Sequence, residues 1–288
     1  MREAGLLQNL SALGWRIHDQ GDLNFDSLAN EITSHDESDK AKNSLIVGKG
    51  CEMIAHAVSK VVEKGQFPLI LGGDHSIGAG SLAGILKARA NTGIIWVDAH
   101  ADINTPDTSE SGNMHGMPIS LIMKDMVDPE IVPGFEWLLS PEFKNARLSP
   151  ESIVYVGLRD VDRMERQFIK DMDIKAFTMY DIDKLGIGRV MDLALEHLLK
   201  EDRNRPIHLS WDIDAVDPIH APATGTAVRG GLTYREAHFV AEAVAMSGAL
   251  ASVEMVELNP TLSDGIGSDE TIELGLGLIS SLMGKSII

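Results

Sequence analysis

At 288 residues the chain is long enough for one large α/β domain with an apolar core. Its 43 acidic against 25 basic residues leave a formal charge of −18, which repels phosphate and argues against a nucleic-acid or anionic-membrane surface. The one cysteine, Cys51, excludes an intramolecular disulfide and a cysteine-rich zinc site; with no apolar run long enough to span a membrane and no signal-like stretch in MREAGLLQNL, the expected location is cytoplasmic.

In chain order, the polar segment Asn30–Asn43 (NEITSHDESDKAKN) reads as an exposed, mobile loop. Apolar residues recurring at three and four predict a helix over Cys51–Lys64, ended by Gly65, which puts Cys51 in the core. Strands follow at FPLILGG (67–73), TGIIWVDAH (92–100), SIVYVGL (152–158) and IKAFTM (174–179). A helix over Val190–Lys200, a strand PIHLSWDID (206–214), a helix over Tyr234–Ser247 ended by Gly248 and a strand ASVEMVEL (251–258) complete the pattern. This alternation signals βαβ units, and near-continuous Val, Ile and Leu in the strands implies burial on both faces. The fold class is therefore α/β, a three-layer α/β/α architecture around a mainly parallel sheet.

Ligands of such sheets bind beyond the carboxyl ends of the strands. FPLILGG runs into Asp74 and His75, TGIIWV into Asp98, His100 and Asp102, and PIHLSW into Asp212 and Asp214. Residues two apart in an extended segment point the same way, so each run can aim its set at one point. Asp74 alone, or Asp217 before Pro218, reads as a cap or turn residue. Together, His75, Asp98, His100, Asp102, Asp212 and Asp214 do not, because carboxylates converging in a water-poor cleft repel each other unless cations neutralise them. Four carboxylates balance two divalent cations, and an oxygen-rich set without thiolate favours Mn²⁺ over structural Zn²⁺. Two metals holding a water between them lower its pKa, which is the chemistry of a binuclear metallohydrolase.

The motifs GGDHS (72–76), DAHADINTP (98–106), SGNMHG (111–116), SWDIDAVDP (210–218) and MVELNP (255–260) resemble those of the ureohydrolases, specifically arginases. The likeness extends to VYVGLRDVD (154–162), LGIGRVM (185–191) and PATGTAVRGGLTYRE (222–236), nearly the whole chain. It implies an arginase/deacetylase-like fold and two Mn²⁺ per chain, with Asp98 and Asp212 bridging both ions and His75, His100, Asp102 and Asp214 each serving one. Asp102 would also orient the bridging hydroxide that attacks the guanidinium carbon of L-arginine, giving L-ornithine and urea.

By the same resemblance His115 is a proton shuttle, a task suited to an imidazole, and Glu257 pairs with the substrate guanidinium. Asn104, Ser109 and Ser111 match positions that contact the substrate α-carboxylate, Asp162 and Glu165 those around its α-amino group, and Thr226 a threonine close to the substrate. Arg235 and Glu236 match residues used in a trimer contact, which implies a homotrimer. Arginases usually carry a strand and a glycine-rich segment ahead of the part matching Met1, so residues 1–288 are expected to form a single ureohydrolase domain lacking an interior strand. Two alternatives remain open at this stage. One keeps the chemistry but takes agmatine or another linear amidine, against which the polar groups of DINTP and SGNMHG argue; the other is a catalytically inactive regulatory subunit, against which the intact ligand set argues.

Overall fold

The apolar runs assemble one sheet whose central strands are buried on both faces. The computed structural model describes residues 1–26, 28 and 40–286. Its strands are β1 (Leu69–Leu71), β2 (Gly93–Val97), β3 (Ile153–Leu158), β4 (Lys175–Thr178), β5 (Ile207–Asp212) and β6 (Leu250–Val256). All neighbours are parallel, in the order β1-β6-β5-β2-β3-β4. Parallel strands need crossovers, supplied here by helices on both sides. The helices are α1 (Leu6–Ala12) and α2 (Ser44–Glu63) before the first strand, α3 (Gly78–Ala88), α4 (Pro118–Ile122), α5 (Arg163–Asp171), α6 (Met179–Leu185), α7 (Ile187–Leu199) and α8 (Tyr234–Met246) between strands, and α9 (Gly265–Leu282) after the last.

Alternation along the strands divides the core. Ile95, Val97, Leu209 and Trp211 pack with Leu6 and Leu10 of α1, Val190 and Ala194 of α7, Val240 of α8 and Ile279 of α9. Ile94, Trp96 and Tyr155 pack on the opposite face with Cys51 and Ala55 of α2, Leu82 and Leu86 of α3 and Ile119 of α4. The sheet is thus the middle of three layers, with each buried aliphatic side chain contributing about 1.5–3 kcal/mol of transfer free energy.

The predicted strands exist but are shorter than the apolar runs. β2 ends at Val97 rather than residue 100, because Asp98 turns its carboxylate back on the backbone N–H of His100 at 2.7 Å. The helix read over Cys51–Lys64 starts seven residues earlier, at Ser44. Of the loop read over Asn30–Asn43, residues 30–39 lie outside the described residues; Ala41 is buried, Lys42 N–H donates to Gly112 O, and Asn43 takes the position just before α2 in a left-handed conformation. Among the described residues no helix is long and apolar enough to cross a membrane.

β2 continues on one side into β3 and β4, while β5 and β6 lie on its other side. The chain therefore reverses its direction of winding between β2 and β5, and the crevice beyond their carboxyl ends is where such a sheet binds ligands. The polar residues following these two strands lie there.

Candidate metal centre and active site

Asp98, His100 and Asp102 follow β2, Asp212 ends β5, Asp214 follows in its short 3₁₀ turn, and His75 begins the 3₁₀ turn between β1 and α3. All but His100 are buried, and the half-buried His100 forms the solvent side. Asp74 acts as the cap the sequence implies, accepting from Ser76 N–H at 2.9 Å. Asp217 is likewise a turn residue, holding the N–H groups of Ile219, Gly230 and Gly231.

Five of the six side chains fall into two overlapping groups able to hold a metal ion, His75–Asp98–Asp212 and Asp98–His100–Asp214, and Asp102 lies beside the first of them. His75 Nδ1 lies 3.0 Å from Asp98 Oδ2 and 3.2 Å from both Asp102 Oδ2 and Asp212 Oδ2. His100 Nδ1 lies 3.1 Å from Asp214 Oδ2 and 3.4 Å from Asp98 Oδ1. Ligands about 2.1 Å from a hard divalent ion and at right angles to one another sit about 3.0 Å apart, so these separations fit a shared ion. His75 Nδ1, buried and without a hydrogen-bond partner, points into the first group. Asp98 belongs to both, presenting Oδ2 to one and Oδ1 to the other. Asp212 faces His75 through Oδ2, while its Oδ1 accepts from Asp214 N–H at 2.8 Å.

The electrostatics of the bare side chains also call for cations. Burial and the charge of Asp98 push the Asp102 carboxyl up to about 8. Burial, reinforced by Asp214 and Asp98, drives Asp212 well above the carboxylate range. Burial disfavours charge on His100, but Asp214 and Asp98 outweigh it and raise the imidazole to about 12. Asp98 would be raised by burial too, yet His100 and His75 hold it below the usual range. Divalent ions neutralise the same carboxylates without this competition for protons.

Neighbouring elements fix the ligands in place. Trp96 Nε1 donates to Asp98 Oδ2 at 2.9 Å, and the Trp96 ring stacks on His75 with centroids 3.9 Å apart. Gly157 takes φ 101 where β3 shifts register, and a Cβ there would come within 3.2 Å of Asp98 O. Asp102 (φ 51) and Glu257 (φ 61) are left-handed without being glycine, a conformation that concentrates at functional sites.

Around the groups lies a cleft of about 170 Å³ lined by His100, Asp102, Asn104, Ser109, Ser111, His115, Asp162, Glu165, Asp212, Thr226 and Glu257, among others. Every substrate-contact position expected from the sequence is in this lining. Their present bonds differ, however. Half-buried His115 belongs to neither metal group. Asn104 donates to Asp162 Oδ2 at 2.8 Å and accepts from Thr108 Oγ1 at 2.9 Å. Ser109 and Ser111 accept from Gly112 N–H and Asn113 N–H. Glu165 is buried and holds loops together, accepting from Ile103 N–H and Asp162 N–H, both at 3.0 Å. Burial pushes its carboxyl up to about 7. Thr226 donates to Asp214 Oδ2 at 2.9 Å.

A model of the Arginase family matches residues 1–284. The chain belongs to the arginase family. It is 43% identical to the arginase of Glaciozyma antarctica over 99% of this chain and 81% of that protein, and 44% identical to arginase-1 of Homo sapiens over 91% and 78%. The crystal structure of an arginase from Bacillus cereus superposes with a TM-score of 0.86 at 35% identity, covering all of this chain and 91% of that one; a Bacillus subtilis arginase gives 0.85 at 38% identity over the same shares. The chain is accordingly an enzyme, a hydrolase of the arginase family with the family's three-layer fold.

Three residues that support the arginase-family site escaped the sequence reading. Arg159 donates to Asp214 O, Ala215 O and Val228 O, clamping the Asp214 turn to the loop bearing Thr226. Ser210 and Glu254 are buried between strands beneath His75. Their signal was parity: each lies on the Asp212-facing alternation of its buried strand, where a polar residue needs a reason.

Proposed function

We propose that this hydrolase converts L-arginine and water to L-ornithine and urea using two Mn²⁺ ions. His75, Asp98, Asp102 and Asp212 would hold one, and His100, Asp98, Asp212 and Asp214 the other. The observation carrying this reading is that Asp98 offers one oxygen to each of two histidine–carboxylate groups. When bound, the ions supply Lewis acidity and a water acidic enough to react near neutral pH. The remaining work falls to side chains.

Half-buried Glu257 presents a carboxylate suited to the planar donor fork of a guanidinium, and its acidic surroundings favour a cationic substrate. Asp102 would accept a hydrogen bond from the attacking water and orient it. His115, in the same cleft, would pass a proton to the leaving amine. Across the cleft, Asn104, Ser109 and Ser111 would meet the α-carboxylate and Asp162 and Glu165 the region of the α-amino group, with Thr226 close by. Residues 1–288 act as one ureohydrolase unit. Exposed Tyr234 and Phe239 on α8, beside Arg235, support a homotrimer contact, and buried Cys51 supports a reducing, cytoplasmic setting.

Urea release from L-arginine and from agmatine, each with Mn²⁺, tests the reading. Higher kcat/KM on L-arginine is expected; preference for agmatine would overturn the substrate assignment.

A further inference from the structure

Beneath the metal groups, the sheet contains a buried polar ladder of which only Asp212 has a part in the proposed reaction. His208, Ser210 and Asp212 alternate along β5, Ser252 and Glu254 along β6, and the register sets His208 beside Ser252 and Ser210 beside Glu254. All five are buried, Glu254 completely. Burying a carboxylate in a sheet is costly without a specific role. Among the described residues Glu254 makes no ion pair, and its Oε2 has no hydrogen-bond partner. Its Oε1 accepts from Ser210 Oγ at 2.9 Å.

A serine hydroxyl has one hydrogen. With it given to Glu254, Ser210 Oγ can only accept from the ring nitrogen 2.9 Å away, His75 Nε2. The imidazole then carries its hydrogen on Nε2 and leaves Nδ1 bare, facing Asp98, Asp102 and Asp212 at 3.0–3.2 Å. Were Ser210 to donate to Nε2 instead, a neutral ring would push an N–H into the ligand cluster and could not bind an ion through Nδ1. Stacking on Trp96, at 7° between planes, fixes the plane of the ring but not the position of its proton. The hydroxyl's direction sets that, and the acceptor behind the hydroxyl sets its direction.

We infer that Glu254, acting through Ser210, is a positioning residue that holds His75 with its hydrogen on Nε2 and its Nδ1 lone pair presented to one metal ion. This rests on the metal reading above. A glutamine at 254 can donate as well as accept, so it removes the directionality while keeping the size of the side chain.

Calorimetric titration of metal-free protein with Mn²⁺ measures both sites in the wild type, S210A, E254Q, the S210A/E254Q double variant and E254D. S210A and E254Q are each expected to weaken one ion about 10–100-fold and leave the other unchanged. The double variant should be no weaker than the worse single one, since both act on one ring. E254D, which keeps a carboxylate acceptor, should recover most of the loss. Wild-type affinity for both ions in S210A and E254Q, or equal weakening of both, would overturn the assignment; so would a lower melting temperature with unchanged affinities, the mark of a packing role. A wild-type chain that binds no divalent ion contradicts the metal reading itself, whereas normal binding by wild type and variants alike contradicts only the role of Glu254.

Discussion

Glu257 Oε1 accepts a hydrogen bond from the backbone N–H of His75 at 2.8 Å. The carboxylate proposed to receive the guanidinium is thereby tied to the residue proposed to hold an ion, although the two lie 182 positions apart. The φ of 61 at Glu257 is stabilised in turn by its own N–H, which donates to Gly73 O at 2.8 Å. E257Q keeps an oxygen for the His75 N–H but loses the charge that faces the substrate. Its kcat/KM on L-arginine should fall by about 10²-fold or more, with metal content unchanged. Steady-state kinetics and metal analysis on one preparation check this; loss of metal in E257Q would make the residue structural.

Arg159 reaches three backbone carbonyls with one planar guanidinium. Lysine cannot reproduce that fork. R159K should lose about 1–3 kcal/mol of stability and weaken binding of the ion proposed to sit at His100 and Asp214, because the Asp214 turn and the Thr226 loop would no longer be clamped together. Denaturant unfolding and Mn²⁺ titration read both effects.

Gly80 sits where α3 crosses α2, and a Cβ there would lie 2.5 Å from Cys51 O. G80A must separate the helices, at a cost of about 1–3 kcal/mol. The 3₁₀ turn bearing His75 leads directly into α3, so weaker metal binding should accompany the lost stability. Urea denaturation of the metal-free and metal-loaded protein separates the two.

His208 is fully buried, and burial, aided by the charge of His75, pulls its imidazole down to about 3 from 6.5. The depressed folded value means the unfolded chain takes up the proton first as pH falls. Stability associated with neutral His208 is therefore complete above pH 6.5 and is lost as pH drops toward 3, by up to about 1.4 kcal/mol per pH unit. H208L should flatten that slope relative to wild type in the metal-free protein; identical slopes from pH 6.5 to 4 would contradict it.

Much of this was legible in the chain itself. The strands and the candidate ligand set stand out because the central parallel strands, buried on both faces, read as aliphatic runs, and acids at the ends of three runs have no bland explanation. Other features were hidden. α2 begins with SLIVGKG, whose glycines look like a loop, but Gly48 serves close packing: a Cβ there would meet the Gly134 backbone at 2.4 Å. α9 buries residues around most of its circumference, so GIGSDETIELGLGLISSL lacks the one-sided stripe that marks an amphipathic helix. Asn104 and Glu165 sit in the expected cleft, but local sequence could not show that they also bond to Asp162, Thr108 and Ile103.

In the proposed reaction the two groups sharing Asp98 hold a catalytic pair of ions. Its most direct test is the number of Mn²⁺ ions retained per chain after loading and desalting, measured with urea release from L-arginine on the same sample. Two ions per chain with urea production is the expected result. Clearly fewer than two, with no urea formed, would rule out a catalytic two-ion centre in this chain.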